Sequence, residues 1–224
     1  IRAGTVGVKV KERPSIPAPE EKMDTVTIPG RDGNLTIKDG TVEDIAIEVT
    51  FTFHSKPDHF AEVFRNAKKW LLGKGERHLK FTDDPDYFYQ VRYVSIGTNE
   101  RTARVIGEFT ATFICHGCQY LVDGAREQGV EDVRYNPYFI AHPIYKITGE
   151  GVCYLEVNGN TMKANVGQNL TIDTEGMIAY RADGTLANMK VSGNYEELYL
   201  LEGENEISIT EGFDLKIIPN WRCL

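Results

Sequence analysis

The chain has 224 residues, 41% of them hydrophobic, with 33 acidic against 25 basic side chains and a formal net charge of −8. That length and apolar content allow one large packed domain or two small ones. Neither sign of charge forms a long block, which argues against nucleic-acid backbones and anionic membrane surfaces as partners, since both are held through clustered Lys and Arg.

The opening stretch, IRAGTVGVKVKERP, lacks the apolar core of a signal peptide, and no apolar run approaches the roughly 20 residues that span a bilayer. A soluble protein is expected, and the start on Ile1 instead of Met suggests that a few residues are missing in front.

The next feature is IPGRDGNLTIKDGTVEDIAIEVTFTF, Ile28 to Phe53. Gly30, Gly33 and Gly40 fit turns that need positive φ or close backbone approach. Arg31 and Asp32, between the first two glycines, are placed either to cap such a turn or to meet an adjacent subunit. Ile45, Ile47, Val49, Phe51 and Phe53 then alternate with Ala46, Glu48, Thr50 and Thr52, which predicts a strand from Thr41 to Phe53 with one dry face.

One helix is predicted, from Pro57 to Leu72, because Phe60, Val63, Phe64, Ala67, Trp70 and Leu71 recur at three- and four-residue steps. Ser55 with Asp58 resembles a capping box, Pro57 suits the first turn, and Gly73 suits a left-handed close. DYFYQVRYVSI and RVIGEFTATFI each alternate as strands. Residues 1–134 therefore read as an α+β domain, an antiparallel sheet carrying one helix.

Beyond about Tyr135 helical periodicity disappears. Short strands are expected around turns at Asn158-Gly159, Asp183-Gly184 and Glu211-Gly212, which predicts an antiparallel β-sandwich over 135–224. The boundary falls in REQGVEDVRYNPYFIAHP, expected to be a connector crossed by few contacts.

No stretch argues for chemistry. CHGC sets Cys115 and Cys118 two residues apart, but a closed zinc site needs a second pair, and Cys153 and Cys223 stand alone. The four thiols are expected reduced, although pairing stays open. Asp83, Asp84 and Asp86 in FTDDPDYF read as an Asp-Pro turn, because paired catalytic carboxylates come from separate elements. The histidines, His54, His59, His78, His116 and His142, accompany no nucleophile motif, and GKG at 73–75 lacks the context of a phosphate loop. The expectation is no catalytic residue, no cofactor and no metal.

Taken in order, ERPSIPAPEEKMDTVTIPGRDGNL, WLLGKGERHLKFTDDPDYFYQVRY, GEFTATFICHGCQYL, HPIYKITGEGVCYLEVNG, LTIDTEGMIAY and LYLLEGENEISITEGFDLKIIPNWRCL resemble the distal tail protein family of long, non-contractile-tailed bacteriophages and prophages. The last segment follows that family's pattern through Leu201, Gly203, Asn205, Ile207 and Gly212. It departs from it in YNPYFIAHP, which lacks an Asn-Gly step, and in Asn220 and Trp221, where an Arg-containing end is usual.

The resemblance implies a structural virion protein, assembled in the host cytoplasm. Its N-terminal β-rich domain would form a hexameric ring, with stacked rings a further option, and its C-terminal galectin-like sandwich would project outward. Partners would be the tail tube protein and a tail-tip or receptor-binding protein, with DNA passing through the ring unbound. Free strand edges suit a repeated heterologous interface. The residues expected at it are Gly30, Arg31, Asp32, Gly33, Glu48, Thr50 and Thr52. The alternative function is carbohydrate binding, with Tyr180, Tyr195 and Tyr199 as stacking platforms. A cell-wall hydrolase is disfavoured by the lack of any nucleophile, zinc motif or separated carboxylate pair.

Overall fold

Residues 3–30, 32–73 and 77–224 are described by a computed structural model. The chain is mostly β, with a single α-helix among the described residues, and no helix there is long and apolar enough to cross a membrane. It divides into two compact units, one of residues 1–80, 89–118 and 224, the other of residues 81–88 and 119–223.

In the first unit the alternating run becomes the strand Ile45–His54, with Ile45, Ile47, Val49, Phe51 and Phe53 buried. It pairs antiparallel along its whole length with Ile106–Leu121, from Ile45 opposite Cys115 to His54 opposite Ile106. Lys9–Val10 pairs its other edge at Thr52 and Phe51, and the Lys11 amide donates to Thr50 O at 2.8 Å. On the dry face Phe51 stacks on Phe109 at 5.4 Å and meets Trp70 edge-on at 6.0 Å, while Phe53 lies 5.0 Å from Phe60. Trp70 and Phe60 arrive from the helix Phe60–Leu71, whose Phe60, Ala67 and Leu71 are buried.

The helix start differs from expectation. Pro57–His59 forms a 3-10 turn ahead of the helix, no side chain caps either start, and the Ser55 hydroxyl donates to Lys56 O instead. Nor does Gly73 adopt positive φ. The Leu72 amide donates to Lys68 O, so the helix closes by its own backbone. The predicted strand from Thr41 to Phe53 is also two strands. Leu35–Val42 pairs with Glu21–Val26 in a separate two-stranded sheet, and Glu43 and Asp44 lie outside any strand before Ile45. A turn does separate Arg77–Phe81 from Asp84–Ile96, but it is formed by Thr82 and Asp83, and Asp84 and Pro85 of the expected Asp-Pro turn already belong to the second strand.

In the second unit Ile178–Tyr180, Ile207–Ile209 and Asp214–Ile218 are short as expected, but the two strands around Asn158-Gly159 have 14 residues each, Ile144–Val157 and Asn160–Asp173, paired without interruption from Ile144 opposite Asp173 to Val157 opposite Asn160. Their turn is Asn158-Gly159, with φ of 51° and 81°, the left-handed pair a two-residue hairpin needs. Ile207–Ile209 and Asp214–Ile218 pair with opposite ends of Ile144–Val157, so the antiparallel sheet curls, consistent with the expected sandwich. Inside it Tyr145, Ile147, Leu155, Met162, Leu170, Ile172, Leu198, Leu200 and Ile217 form a dry core, and the Tyr145 hydroxyl donates to Leu198 O at 2.7 Å.

The stretch from Arg126 to Pro143 is not the sparsely contacted connector expected. Gln128 exchanges backbone hydrogen bonds with Ile217, and Val133 and Ala141 are fully buried. Its polar composition hides a few apolar anchors that reach the core.

Candidate assembly surface

The expected interface residues fall on two features of the first unit. Gly30 and Gly33, with φ of 83° and 77°, lie in the turn that joins Glu21–Val26 to Leu35–Val42. Asp32 is exposed between them, while Arg31 lies outside the described residues. Thr27 Oγ1 donates to Asn34 Oδ1 at 3.2 Å across the base of this turn. Gly40 belongs to the second strand, not to a turn.

Glu48, Thr50 and Thr52 occupy the polar face of Ile45–His54, opposite Thr112, Thr110 and Glu108. Thr50 and Thr110 hydroxyls lie 3.2 Å apart, and Lys11 Nζ donates to both oxygens of Glu108 at 2.8 and 3.0 Å. That carboxylate holds the Lys11 ammonium above the ordinary lysine value. The threonine-and-glutamate face can offer hydrogen bonds and negative charge, but it assembles no nucleophile or acid–base pair.

The hairpin itself was not anticipated. All six residues of Glu21–Val26 are exposed, and so are Leu35 and Ile37. Val26 stands opposite Leu35, and Asp24 opposite Ile37, so Val26, Leu35 and Ile37 share one face. An isolated two-stranded ribbon is marginal in water, and this one leaves Val26, Leu35 and Ile37 open on one face. The alternation Leu35-Thr36-Ile37 was the available signal, too short to mark a strand by itself. Its base is anchored: a Cβ on Gly117 would collide with Glu43 O, Val42 and Pro19, so the chain entering and leaving the hairpin lies directly on that glycine.

Three of the four cysteines are buried, and Cys223 is half-buried. Cys115 is fully buried on the inward face, donates to Phe113 O, and is pushed up to about 12 by burial. Cys118 and Cys153 are buried, and all four thiols are free. Among the described residues no three His, Cys, Asp or Glu gather as metal ligands.

The tyrosines named for sugar stacking are half-buried. Tyr195 packs on the sandwich core with its hydroxyl buried, and Tyr199 stacks on His142 at 3.9 Å. Around that ring pair sits a cluster in which Arg222, itself buried, donates from Nη2 to His142 Nε2 at 2.8 Å and from Nε to Ile140 O at 2.5 Å, while His142 Nδ1 donates to Glu175. Asn220 Nδ2 donates to His142 O at 2.9 Å, and Trp221 is buried. YNPYFIAHP and NWRCL, the two departures from the family pattern, thus hold each other. Their match is a structural clasp at the end of the chain.

Residues 7–115 match the family described as "Phage tail protein RIFT-related domain". No curated protein matches the chain. Among solved structures, the chain is similar to the Dit (gp 19.1) protein of phage SPP1, described as "a paradigm of hub adsorption apparatus in Gram-positive infecting phages", with a TM-score of 0.56 and 14% identity over 94% of this chain and 90% of that one. The sequence of the first half thus matches a phage-tail family, and the fold of 94% of the chain is similar to that of Dit.

Proposed function

We propose that this chain, with a phage-tail domain match over residues 7–115 and a distal-tail-protein fold, is a structural hub at the far end of a phage tail. Its role is to assemble and to dock. Residues 1–134 form the ring, six copies around the tail axis, and the galectin-like sandwich of 135–224 faces outward. The ring joins the tail tube protein on one side to a tail-tip or receptor-binding protein on the other, within the virion.

The observation that carries this reading is the exposed hairpin, an apolar-faced ribbon on the part of the chain that matches a tail-protein family. A heterologous contact repeated about an axis closes into a ring. The acidic balance of the chain, a net charge of −8, suits a lumen where like charge keeps passing DNA from adhering. Light scattering and electron microscopy of the purified chain test it. The expected result is a particle of six times the chain mass with six-fold symmetry, and a strict monomer well above micromolar concentration would count decisively against it. A basic lumen in the assembled ring would discard the DNA-passage element alone.

A further inference from the structure

Two segments of the first unit carry opposite charge in equal measure. From Glu20 to Asp44, the hairpin and its flanks, there are seven carboxylates against three cations. From Lys56 to Lys80, the helix and its flanks, there are seven cations against three carboxylates. We infer that the acidic hairpin of one copy docks on the exposed basic face of the Phe60–Leu71 helix of the next copy, a specific contact within the ring reading on which this inference rests.

The exposed sides match in more than charge. Arg65, Lys68, Lys69 and Leu72 lie on one helix face at three- and four-residue steps, and all four are exposed. Leu72 and the aliphatic stems of the basic residues give Val26, Leu35 and Ile37 an apolar floor. Among the described residues, Asp24, Asp32 and Glu43 enter no ion pair, and neither do Arg65, Lys68 and Lys69. Glu62, the helix's own carboxylate, is occupied by His59 at 2.9 Å, which leaves the face more cationic.

A second copy is the occupant these charges select. Hairpin against hairpin sets acid on acid, and helix against helix sets base on base, so both like-on-like pairings are repelled. Hairpin on helix is the attractive pairing, and where each copy gives its hairpin to one neighbour and its helix to another the contact is heterologous and propagates from copy to copy. Exposed pairs are screened by salt, and their main effect is on encounter and register.

The test is a complementation between two charge-reversed chains. One carries Asp24→Lys, Asp32→Lys and Glu43→Lys; the other carries Arg65→Glu, Lys68→Glu and Lys69→Glu. Each alone is expected to elute as a monomer at concentrations where the unaltered chain is assembled. Mixed in equal amounts they are expected to regain the assembled mass, because every hairpin then meets a helix of opposite sign. Assembly by either variant alone overturns the inference, as does a mixture that stays monomeric while both variants melt like the parent. Should a variant fail to fold, the unaltered chain decides: an assembly unchanged between 0.05 and 1 M NaCl overturns the contact, whereas dissociation with rising salt supports it. An assembled parent with indifferent variants sinks this contact and leaves the ring reading standing; a monomeric parent sinks both.

Discussion

The hairpin of Ile144–Val157 and Asn160–Asp173 and the hairpin of Glu21–Val26 and Leu35–Val42 share an antiparallel ladder and glycine-bearing turns, yet they spend their side chains differently. The first buries Cys153, Leu155 and Val157 against Met162, Ala164 and Val166. Every residue of Glu21–Val26 is exposed. Backbone pairing alone does not stabilise a two-stranded ribbon, because ordering each residue costs about as much as its hydrogen bonds return. Burial on one face supplies the difference in the long hairpin. The short one must take it from its anchored base or from another molecule.

That contrast is most exposed to failure at Leu155 and Met162, which face each other across the long hairpin and are fully buried. Leu155→Ala or Met162→Ala is expected to lower the unfolding free energy by about 2–5 kcal/mol, the range for large-to-small core changes. Chemical denaturation measures it. A loss below about 1 kcal/mol would mean that this hairpin is held by something other than its core.

Thiol chemistry sharpens the same contrast. Cys153, inside the long hairpin, is buried and its thiol is raised by burial. A cysteine placed in the short hairpin by Met23→Cys would meet solvent directly. At pH 8 the introduced thiol is expected to be alkylated at least about 100-fold faster than Cys153, because the thiolate is the reactive form and access is open. Mass-resolved alkylation reads both sites in one sample.

Cys115 adds a pH dependence with a defined sign. Its folded thiol is raised from 9.0 to about 12, so the unfolded chain loses this proton first. The contribution is fully present below pH 9 and is lost as pH rises toward about 12. Cys115→Ser is expected to flatten that alkaline loss in unfolding curves taken between pH 8 and 11, and an unchanged slope would reject burial of Cys115 as its source.

Asn205 comes next in size. It is buried, its Nδ2 donates to Leu201 O and Gly203 O, and its Oδ1 accepts from the Leu201 amide and from Asn158 Nδ2. Asn158 in turn closes the long hairpin, with its Oδ1 accepting from the Glu206 amide. Asn205→Ala leaves buried groups unpaired and is expected to cost about 1–3 kcal/mol. The pattern Leu201, Gly203, Asn205 and Ile207 is thus a loop knitted by one amide, and an Asn205→Ala chain of parental stability would show the loop to be held by packing instead.

What the sequence disclosed follows from where local signals are strong. The period-two run Ile45–Phe53, the helical stripe through Phe60, Ala67 and Leu71, and the Asn158-Gly159 turn are each decided within about ten residues, and each is realised. The 14-residue strands were harder to see, because Thr148-Gly149-Glu150-Gly151 looks like a break. The ladder runs straight through it, with Gly149 leaving room for the Phe213 ring. Ser55 and Asp58 had the right spacing for a capping box, but the 3-10 turn from Pro57 to His59 set a different geometry. On the candidate surface, Gly30, Asp32 and Gly33 were legible as a turn and Glu48, Thr50 and Thr52 as one polar face. The apolar side of the hairpin was not, since Val26, Leu35 and Ile37 meet only once the register is known.

The smallest effect on stability bears most directly on the two hairpins. Val26→Ser and Ile37→Ser change side chains that are already in water, so the isolated chain is expected to unfold within about 0.5 kcal/mol of the parent, as surface substitutions do. If the hairpin is a contact surface, the same changes remove apolar area from the assembled state only. They are expected to weaken assembly while the melting of a dilute, unassembled sample stays put. A drop of about 2 kcal/mol in the dilute chain would instead show that the hairpin's aliphatic face is covered within its own molecule. Measured at two protein concentrations, one above and one below the assembly midpoint, this pair of substitutions separates stability that belongs to the chain from stability that belongs to its neighbours.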